Sequence, residues 1–302
     1  MRFLETIIQQ IPRPDSEARS AARARLEQLT MPYWALGRLM DLAEEIAGMT
    51  GQMPPNVGRK TIVTMAADHG VTAQGVSGYP PEVTVQMVHN IVNGGASINA
   101  LARLAGARVV VVDMGVAGDL AELTEKGHVI SKKIGNGTRD MTQGPAMSRE
   151  EALRSIEAGI EIAQELGATT DLFGTGEMGI GNTTPSSALV SIYGRIPVGE
   201  VTGRGTGIND GQLANKIAMI EKAIQINTPD MTDPLDILSK VGGFEIGGIA
   251  GLILGAAAQR KPVLVDGFIS TAGALIAAPV PSPKRRSRSR SGFLPRQSRA
   301  IR

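Results

Sequence analysis

The chain has 302 residues, of which 42% are hydrophobic and 20% are charged, an ordinary balance for a globular protein with a buried core. It contains no cysteine, which excludes a disulfide framework and thiolate chemistry and fits a cytoplasmic protein. The net charge of +2 conceals an uneven distribution, because eight of the 31 basic residues and no acidic residue lie beyond residue 278. The first 278 residues hold 23 basic against 29 acidic residues, about −6 net, and the whole chain has nine aromatic residues, so a nucleic-acid partner is not indicated.

The first 50 residues have the pattern of a small helical subdomain. PDSEARSAARARLEQLT and LGRLMDLAEEIAGMT both read as amphipathic helices that precede the first strand. Glu5 and Pro12 interrupt the stretch in which a secretory signal would be apolar. The longest apolar run, residues 246–258, is too short and too rich in glycine to span a bilayer, so no membrane partner is indicated.

Three short apolar runs that each lead into an aspartate indicate a parallel sheet. They are TIVTMAADHG (61–70), RVVVVDMG (108–115) and KPVLVDGF (261–268), with Asp68, Asp113 and Asp266. Continuous apolar runs without alternation are typical of strands that are buried on both faces. Because ligands of such sheets bind beyond the carboxyl ends of the strands, we expect the three aspartates to gather there.

Helical stretches separate these strands. Residues 83–106 predict one or two helices, and residues 148–167 predict a helix with Ser148 and Glu151 at capping-box spacing and Gly167 as C-cap. The alternation predicts an α/β fold with a doubly wound, mainly parallel sheet (Rossmann-like) over residues 51–278, beside the helical subdomain of residues 1–50. Residues 279–302, PVPSPKRRSRSRSGFLPRQSRAIR, have no periodicity and predict a basic, disordered tail of the kind that a shifted reading frame would produce.

The stretch FGTGEMGIGNTTP (173–185) has glycines that fit GxGxxG, at Gly174, Gly176 and Gly179, after a candidate strand TTDLF. This pattern alone suggests a dinucleotide oxidoreductase. Glu177 lies in the middle of the loop, however, and its carboxylate would repel a pyrophosphate placed directly on these glycines.

Two further glycine clusters precede predicted helices. They are EVTGRGTGIND (200–210), which leads to a helix bearing Lys216, and KVGGFEIGGIAG (240–251). Each cluster alone is more typical of packing than of ligand binding. Three such loops in one α/β chain instead suggest a single mononucleotide phosphate, held by backbone amides and helix N-termini with Lys216 adding charge.

Other chemistries have weaker support in the sequence. The three histidines, His69, His89 and His128, are scattered, with neither cysteine nor HExxH, so no metal site is predicted. GxSxG and the P-loop pattern do not occur. Asp68–His69 is either an acid–base pair or hydrogen-bonded scaffolding at a strand end, and the second is the more common role of such a pair.

Several ordered motifs resemble one enzyme family, the nicotinate-nucleotide–dimethylbenzimidazole phosphoribosyltransferases of cobalamin (vitamin B12) lower-ligand synthesis. The similar stretches over residues 1–278 are AADHGV (66–71), QGVSGYPPEVTVQMV (74–88), FGTGEMGIGNTTPSSAL (173–189), GRGTGI (203–208), DILSKVGGFEIGGIAGLILGAA (236–257) and PVLVDGF (262–268). The resemblance implies transfer of phosphoribosyl from nicotinate mononucleotide to 5,6-dimethylbenzimidazole, giving α-ribazole 5′-phosphate and nicotinate. It also implies a cytoplasmic homodimer without a cofactor, whose helical domain includes both chain ends.

The resemblance assigns Glu177 to the ribose, where its carboxylate can support positive charge that develops at C1′. It places Tyr79, Val83, Gln86 and Met87 at the benzimidazole. The remaining residues that it assigns to substrate binding are Asp68, His69, Gly174, Gly176, Gly179, Asn182, Thr183, Thr184, Gly205, Lys216, Gly243 and Asp266.

The family's general base is a glutamate in a Gly-Glu-Gly motif beyond the position of Ala278, and this chain does not contain that motif. Three alternatives to an active transferase therefore stay open: a truncated, catalytically impaired member that binds nicotinate mononucleotide, a nucleic-acid-associated protein acting through its Arg/Ser tail, and the dinucleotide oxidoreductase. General-base catalysis contributes about 10²- to 10⁴-fold, so we expect slow turnover from a chain that lacks this glutamate.

Overall fold

The computed structural model describes residues 2–278, so the predicted basic tail of residues 279–302 lies outside the described part. Its sheet has five strands, all paired in parallel, in the order β3-β2-β1-β4-β5. They are β1 Lys60–Ala67, β2 Ala107–Gly115, β3 Val129–Ser131, β4 Leu172–Met178 and β5 Val263–Leu264. The chain builds outward from β1 to β3 and then crosses to the other side of β1 to form β4. This reversal creates a switch point between β1 and β4, and the predicted α/β fold class is confirmed.

Helices flank the sheet and form its crossovers. They are α1 Arg2–Gln10, α2 Ser16–Glu27, α3 Arg38–Thr50, α4 Val83–Val92, α5 Ser97–Ala105, α6 Ala121–Glu125, α7 Arg149–Gly167, α8 Thr183–Gly194, α9 Val198–Val201, α10 Asp210–Asn227, α11 Pro234–Val241, α12 Phe244–Ala258 and α13 Phe268–Ala277, with a 3₁₀ turn at Gly70–Gln74. None of these helices in residues 2–278 is both long and apolar enough to cross a membrane.

The start of α7 follows the sequence prediction closely. The Ser148 hydroxyl accepts from the Glu151 N–H at 3.1 Å, and the Glu151 carboxylate accepts from the Ser148 N–H at 2.6 Å. These two bonds satisfy amide groups that a helix start otherwise leaves free. At the other end, Gly167 is the last helical residue and Ala168 is the C-cap, so the C-cap predicted at Gly167 was one residue early.

The core lies between the sheet and the tightly packed pair α7 and α12. Glycines of α12 face α7 at close range. A Cβ at Gly251 would approach the Ile156 carbonyl oxygen to 1.9 Å, so only glycine fits there. Gly247 and Gly251 of the third cluster therefore serve helix packing, the more common role of such residues, and Gly248 of the same cluster packs against the sheet.

The third predicted strand differs from the expectation. β5 has two residues, pairs only with β4, and leaves Leu264 57% exposed. The prediction of a strand buried on both faces was wrong for this segment, because β5 is the last strand of the sheet described here. An apolar run does not distinguish an edge strand from a central one.

The N-terminal helices are arranged in two ways. α1 packs against α12 and α7 and buries Ile7, whereas α2 and α3 pack against each other. Arg260, at the end of α12, donates to the Met49 and Arg13 carbonyl oxygens at 3.4 and 3.3 Å. The α2–α3 pair is thereby held to the N-terminal side of the sheet, away from the strand ends that carry the site.

Candidate active site

The candidate site lies at the switch point, beyond the carboxyl ends of β1 and β4. β1 ends immediately before Asp68 and His69, and β4 carries Glu177 next to Met65 of β1. A tight turn after β4 leads directly into α8, which begins at Thr183. The amide groups of a helix start are therefore close to a carboxylate at the position where α/β sheets bind ligands.

Glu177 is partly buried, and within residues 2–278 its carboxylate accepts from one side-chain donor, the Asn182 amide, through a short hydrogen bond. Burial raises the pKa of Glu177, and the hydrogen bond from Asn182 opposes that rise. The nearby charge of Glu245 raises this pKa further, whereas that of His69 lowers it. A carboxylate that is held by one amide and partly removed from water interacts strongly with a positive charge placed beside it. The two predicted residues Glu177 and Asn182 thus act together.

Lys216 is the most unusual cation of the site. It projects from α10, is 1% exposed, and donates to the Thr183 hydroxyl at 2.7 Å and to the Gly203 carbonyl oxygen at 3.4 Å. Burial lowers its pKa to about 8. Within residues 2–278 no carboxylate forms an ion pair with it. A buried ammonium with only neutral partners, at the start of α8, is suited to an anionic ligand.

The second glycine cluster covers this lysine. A Cβ on Gly205 would lie 3.3 Å from the Lys216 Nζ and 3.0 Å from the Thr183 hydroxyl. Residues 203–207 are all exposed, and we name them the cover loop. The predicted residues Thr183, Gly205 and Lys216 are therefore brought together, and the neighbouring Thr184 is buried in the first turn of α8.

His69 lies below the cleft and is not exposed to it. Its imidazole is buried and its Nε2 lies 2.9 Å from a carboxylate oxygen of Glu245, in the first turn of α12. Burial opposes the charge on His69, but the carboxylate of Glu245 outweighs this effect and raises the pKa of His69. The histidine is therefore half of a buried ion pair, which supports the scaffolding interpretation of Asp68–His69.

Glycines make room for this ion pair. A Cβ on Gly179 would lie 2.2 Å from the Ala67 carbonyl oxygen and 3.4 Å from the His69 Nε2, and one on Gly243 would lie 2.5 Å from the His69 Cε1. Both glycines were predicted as substrate-binding residues, and the structure places both against the imidazole. Sequence reasoning missed Glu245, although a carboxylate in an otherwise apolar helix was a signal that could have revealed it.

Gly174 and Gly176 belong to the strand and not to the turn that follows it. They pair with Ile62 and Thr64 inside β4. The GxGxxG match therefore has its first two glycines within the sheet, whereas in a dinucleotide fingerprint they form the phosphate-binding turn. This placement removes the basis for the dinucleotide oxidoreductase.

The structure brings together two of the three aspartates. Asp113 accepts from the Gly115 and Val116 N–H groups at 3.0 and 2.8 Å, and Asp68 accepts from the Ala117 N–H at 2.8 Å. Both are buried and shape the same turn after β2. Asp266 follows the edge strand and is exposed, with β4 between it and β1.

Four predicted residues lie on one wall of the cleft, in residues 77–87, which we name the azole segment. Tyr79 and Gln86 are exposed, and Val83 and Met87 are partly buried at the start of α4. Thr84 of the same helix is buried, and its hydroxyl accepts from the Ile180 N–H at 3.1 Å. The azole segment is thereby fixed against the turn that follows β4.

Within residues 2–278 no three His, Asp or Glu side chains are grouped so that they could hold a metal ion.

A buried lysine whose ammonium lies against the first residue of α8, at the switch point of a parallel sheet, places the chain among α/β proteins with a candidate anion-binding site. A family model described as phosphoribosyltransferase matches residues 11–286.

Curated relatives named nicotinate-nucleotide–dimethylbenzimidazole phosphoribosyltransferase match most of the chain. The protein from Syntrophotalea carbinolica is 58% identical over 277 residues, covering 92% of this chain and 78% of the relative. That from Desulfotalea psychrophila is 57% identical over 280 residues, covering 93% and 79%. A crystal structure of the enzyme from Thermus thermophilus superposes with a TM-score of 0.80 at 41% identity, covering 87% of this chain and 77% of that one. The chain belongs to the nicotinate-nucleotide–dimethylbenzimidazole phosphoribosyltransferase family.

Proposed function

We propose that the chain transfers phosphoribosyl from nicotinate mononucleotide to 5,6-dimethylbenzimidazole, as in cobalamin lower-ligand synthesis. The bond between ribose C1′ and the nicotinate nitrogen breaks, and a bond from C1′ to a benzimidazole nitrogen forms. The other benzimidazole nitrogen loses its proton to solvent water, and the products are α-ribazole 5′-phosphate, nicotinate and that proton. Family membership and the names of the relatives support this reaction.

The observation that carries the proposal is the environment of Lys216. Its ammonium is buried against the Thr183 hydroxyl and the Gly203 carbonyl oxygen, without a carboxylate partner among the described residues. A nucleotide phosphate placed here would receive this charge together with the first amide groups of α8. We assign the 5′-phosphate to Lys216, Thr183, Thr184 and the glycines of the cover loop.

Glu177 then lies on the ribose side of the phosphate. When the bond to nicotinate breaks, positive charge develops at C1′, and a carboxylate in a partly buried site stabilises that charge more than it stabilises the bound substrate. We assign this role to Glu177, with Asn182 holding the carboxylate in place. We assign Tyr79, Val83, Gln86 and Met87 to the benzimidazole, whose apolar ring matches the partly buried side chains of Val83 and Met87.

The remaining residues of the resemblance receive supporting roles. We propose that Asp68, His69, Gly179 and Gly243 shape the floor of the cleft, because their contacts are with the backbone after β2 and with the buried ion pair. Gly174 and Gly176 lie within β4. Asp266 lies at the rim, where its N–H donates to the Thr175 hydroxyl at 3.4 Å.

The proposal extends to the molecular setting. We propose a homodimer in the cytoplasm, with residues 1–50 as a helical subdomain beside the nucleotide-binding part over residues 51–278. Light scattering of the purified chain gives the oligomeric state, and a monomer at micromolar concentration would contradict the dimer.

The test of the reaction is a product assay. The purified chain is incubated with nicotinate mononucleotide and dimethylbenzimidazole, and nicotinate and α-ribazole 5′-phosphate are quantified by chromatography. We expect equal amounts of the two products, and no product from a Glu177→Gln/Lys216→Met variant. Glu200→Gln/Lys222→Met is the matched control, because Glu200 is exposed and Lys222 lies further along α10 than Lys216 and on another side of the helix.

The alternative member of the family binds the nucleotide without turnover, and no observation on residues 2–278 favours it. The same assay separates the two: tight binding of nicotinate mononucleotide with no release of nicotinate in the presence of the azole would support the alternative and refute the transfer reaction.

A further inference from the structure

The cover loop and the azole segment are joined by a hydrogen bond that the proposed chemistry does not use. The Thr206 hydroxyl accepts from the Gly78 N–H at 2.7 Å and lies 3.3 Å from the Ser77 hydroxyl. Thr206 itself is exposed, and within residues 2–278 its side chain forms no hydrogen bond to Lys216 or Glu177. It links one wall of the cleft to the loop over the phosphate site.

The same loop controls access to Lys216. Because this lysine is 1% exposed and the Gly203 carbonyl oxygen lies 3.4 Å from its Nζ, an anion reaches the ammonium only if the cover loop moves. Three glycines, Gly203, Gly205 and Gly207, allow such a movement, and the last two already have positive φ angles of 54° and 83°. A movement of this loop is transmitted to Gly78 through Thr206.

A second tie runs parallel to the first. Asn215, the residue before Lys216 on α10, donates to the Gln74 carbonyl oxygen at 2.7 Å, and the Gln74 side chain donates to Asp140 at 2.7 Å. The start of the turn that leads into the azole segment is therefore anchored to the helix that supplies the phosphate-binding lysine. Thr206 is therefore the tie from the exposed cover loop, and Asn215 is the tie from helix α10.

We propose that Thr206 is a positioning residue for the azole, which couples the cover loop over Lys216 to the azole segment so that bound nucleotide orders the azole site. The inference rests on the proposed function for the identity of the two substrates. Coupling of this kind makes the binding of one ligand depend on the order that the other imposes.

The experiment compares Thr206→Val, which keeps the shape and removes the acceptor, with Thr206→Ser, which keeps the acceptor. Hydrogen–deuterium exchange of the amide groups of residues 77–79 is measured with and without nicotinate mononucleotide. In the unaltered chain and in Thr206→Ser, we expect the nucleotide to slow exchange on the order of threefold or more, because it orders the coupled loops. In Thr206→Val, we expect the nucleotide to leave this exchange unchanged.

The kinetic readout uses the same variants at saturating nucleotide. For Thr206→Val we expect the KM for the azole to rise ~5-fold, the scale of one lost hydrogen bond, with the Kd for nucleotide within about twofold of the unaltered chain. Thr206→Ser should restore the azole KM. Equal exchange responses in Thr206→Val and the unaltered chain would overturn the coupling, as would parallel losses of nucleotide and azole affinity.

Failure of the proposed function has a different signature. If the unaltered chain releases no nicotinate on addition of the azole, the transfer reaction is refuted. The exchange measurement decides the coupling even then, because it requires only nucleotide binding and no turnover.

Discussion

Replacing Lys216 by methionine separates the stability of the fold from the function of the site. Burial lowers the pKa of Lys216 from 10.5 to about 8. The unfolded chain therefore binds this proton more tightly than the folded chain. At pH 7 the difference corresponds to about 3 kcal/mol by which the charged lysine destabilises the ligand-free fold.

Methionine has a similar length and no charge to desolvate, so Lys216→Met should raise the free energy of unfolding at pH 7 by about 2–3 kcal/mol and Tm by roughly 5 °C. The same variant should weaken binding of nicotinate mononucleotide by about 10- to 100-fold, because the phosphate loses a charge-assisted hydrogen bond.

The assays are urea unfolding at several pH values and calorimetric titration of the nucleotide. Since the pKa of Lys216 is lowered in the folded state, the stability difference should be complete below pH 8 and should vanish as pH rises from 8 to 10.5. Lys222→Met, on the same helix, is the control and should change neither quantity. A Lys216→Met variant that is less stable at pH 7 would contradict the expected cost of burying the charge, and normal nucleotide binding by this variant would contradict the phosphate contact.

Three further predictions follow from the charges of the site. Between pH 8 and 9 the nucleotide Kd should increase about fivefold, with proton uptake on binding detected by calorimetry in buffers of different ionisation enthalpy, because the free ammonium loses its proton there. Glu177→Gln should lower kcat at least about 100-fold with little change in KM. In the unaltered chain, the fall of kcat at acid pH should occur above pH 4.5, because burial raises the pKa of Glu177. His69→Leu should cost about 3–5 kcal/mol of stability by leaving Glu245 without its partner, and the added Glu245→Met should recover most of that loss in urea unfolding.

Each of these three has its own contrary result. A nucleotide Kd that is flat from pH 7 to 9 would remove Lys216 from the phosphate site. A Glu177→Gln variant with raised KM and normal kcat would make Glu177 a simple binding residue, whereas Glu200→Gln should be silent in either case. A double variant at His69 and Glu245 that is no more stable than His69→Leu would show that the two residues do not form an energetic pair.

The sequence predicted those parts of the fold that depend on local pattern. β1 and β2 were predicted from largely apolar stretches of the sequence. The capping box at the start of α7 was predicted from the spacing of Ser148 and Glu151, and the structure contains it. β5 escaped the prediction because edge and central strands share the same composition, and only the pairing partners distinguish them. Likewise, Gly174 and Gly176 match a turn motif but lie in a strand, since glycine is compatible with both conformations.

The sequence identified candidate site residues, but it did not predict which of them contact one another. Glu177 is a charged residue among glycines, and Lys216 lies on the helix that follows a glycine cluster; the structure buries Glu177 partly and Lys216 fully. The partnership of His69 with Glu245, 176 positions apart in the sequence, depends on α12 returning to the end of β1, which no local pattern encodes. The hydrogen bond between Thr206 and Gly78 could not be predicted from the sequence for the same reason.

We propose that this cleft holds the phosphate of nicotinate mononucleotide on Lys216 with Glu177 beside the ribose. A crystal structure of the chain with this nucleotide bound would show both contacts. We expect a phosphate oxygen about 3 Å from the Lys216 Nζ, the cover loop displaced from the ammonium, and the Glu177 carboxylate next to C1′. A nucleotide bound elsewhere, with the Gly203 carbonyl oxygen still against Lys216, would contradict it.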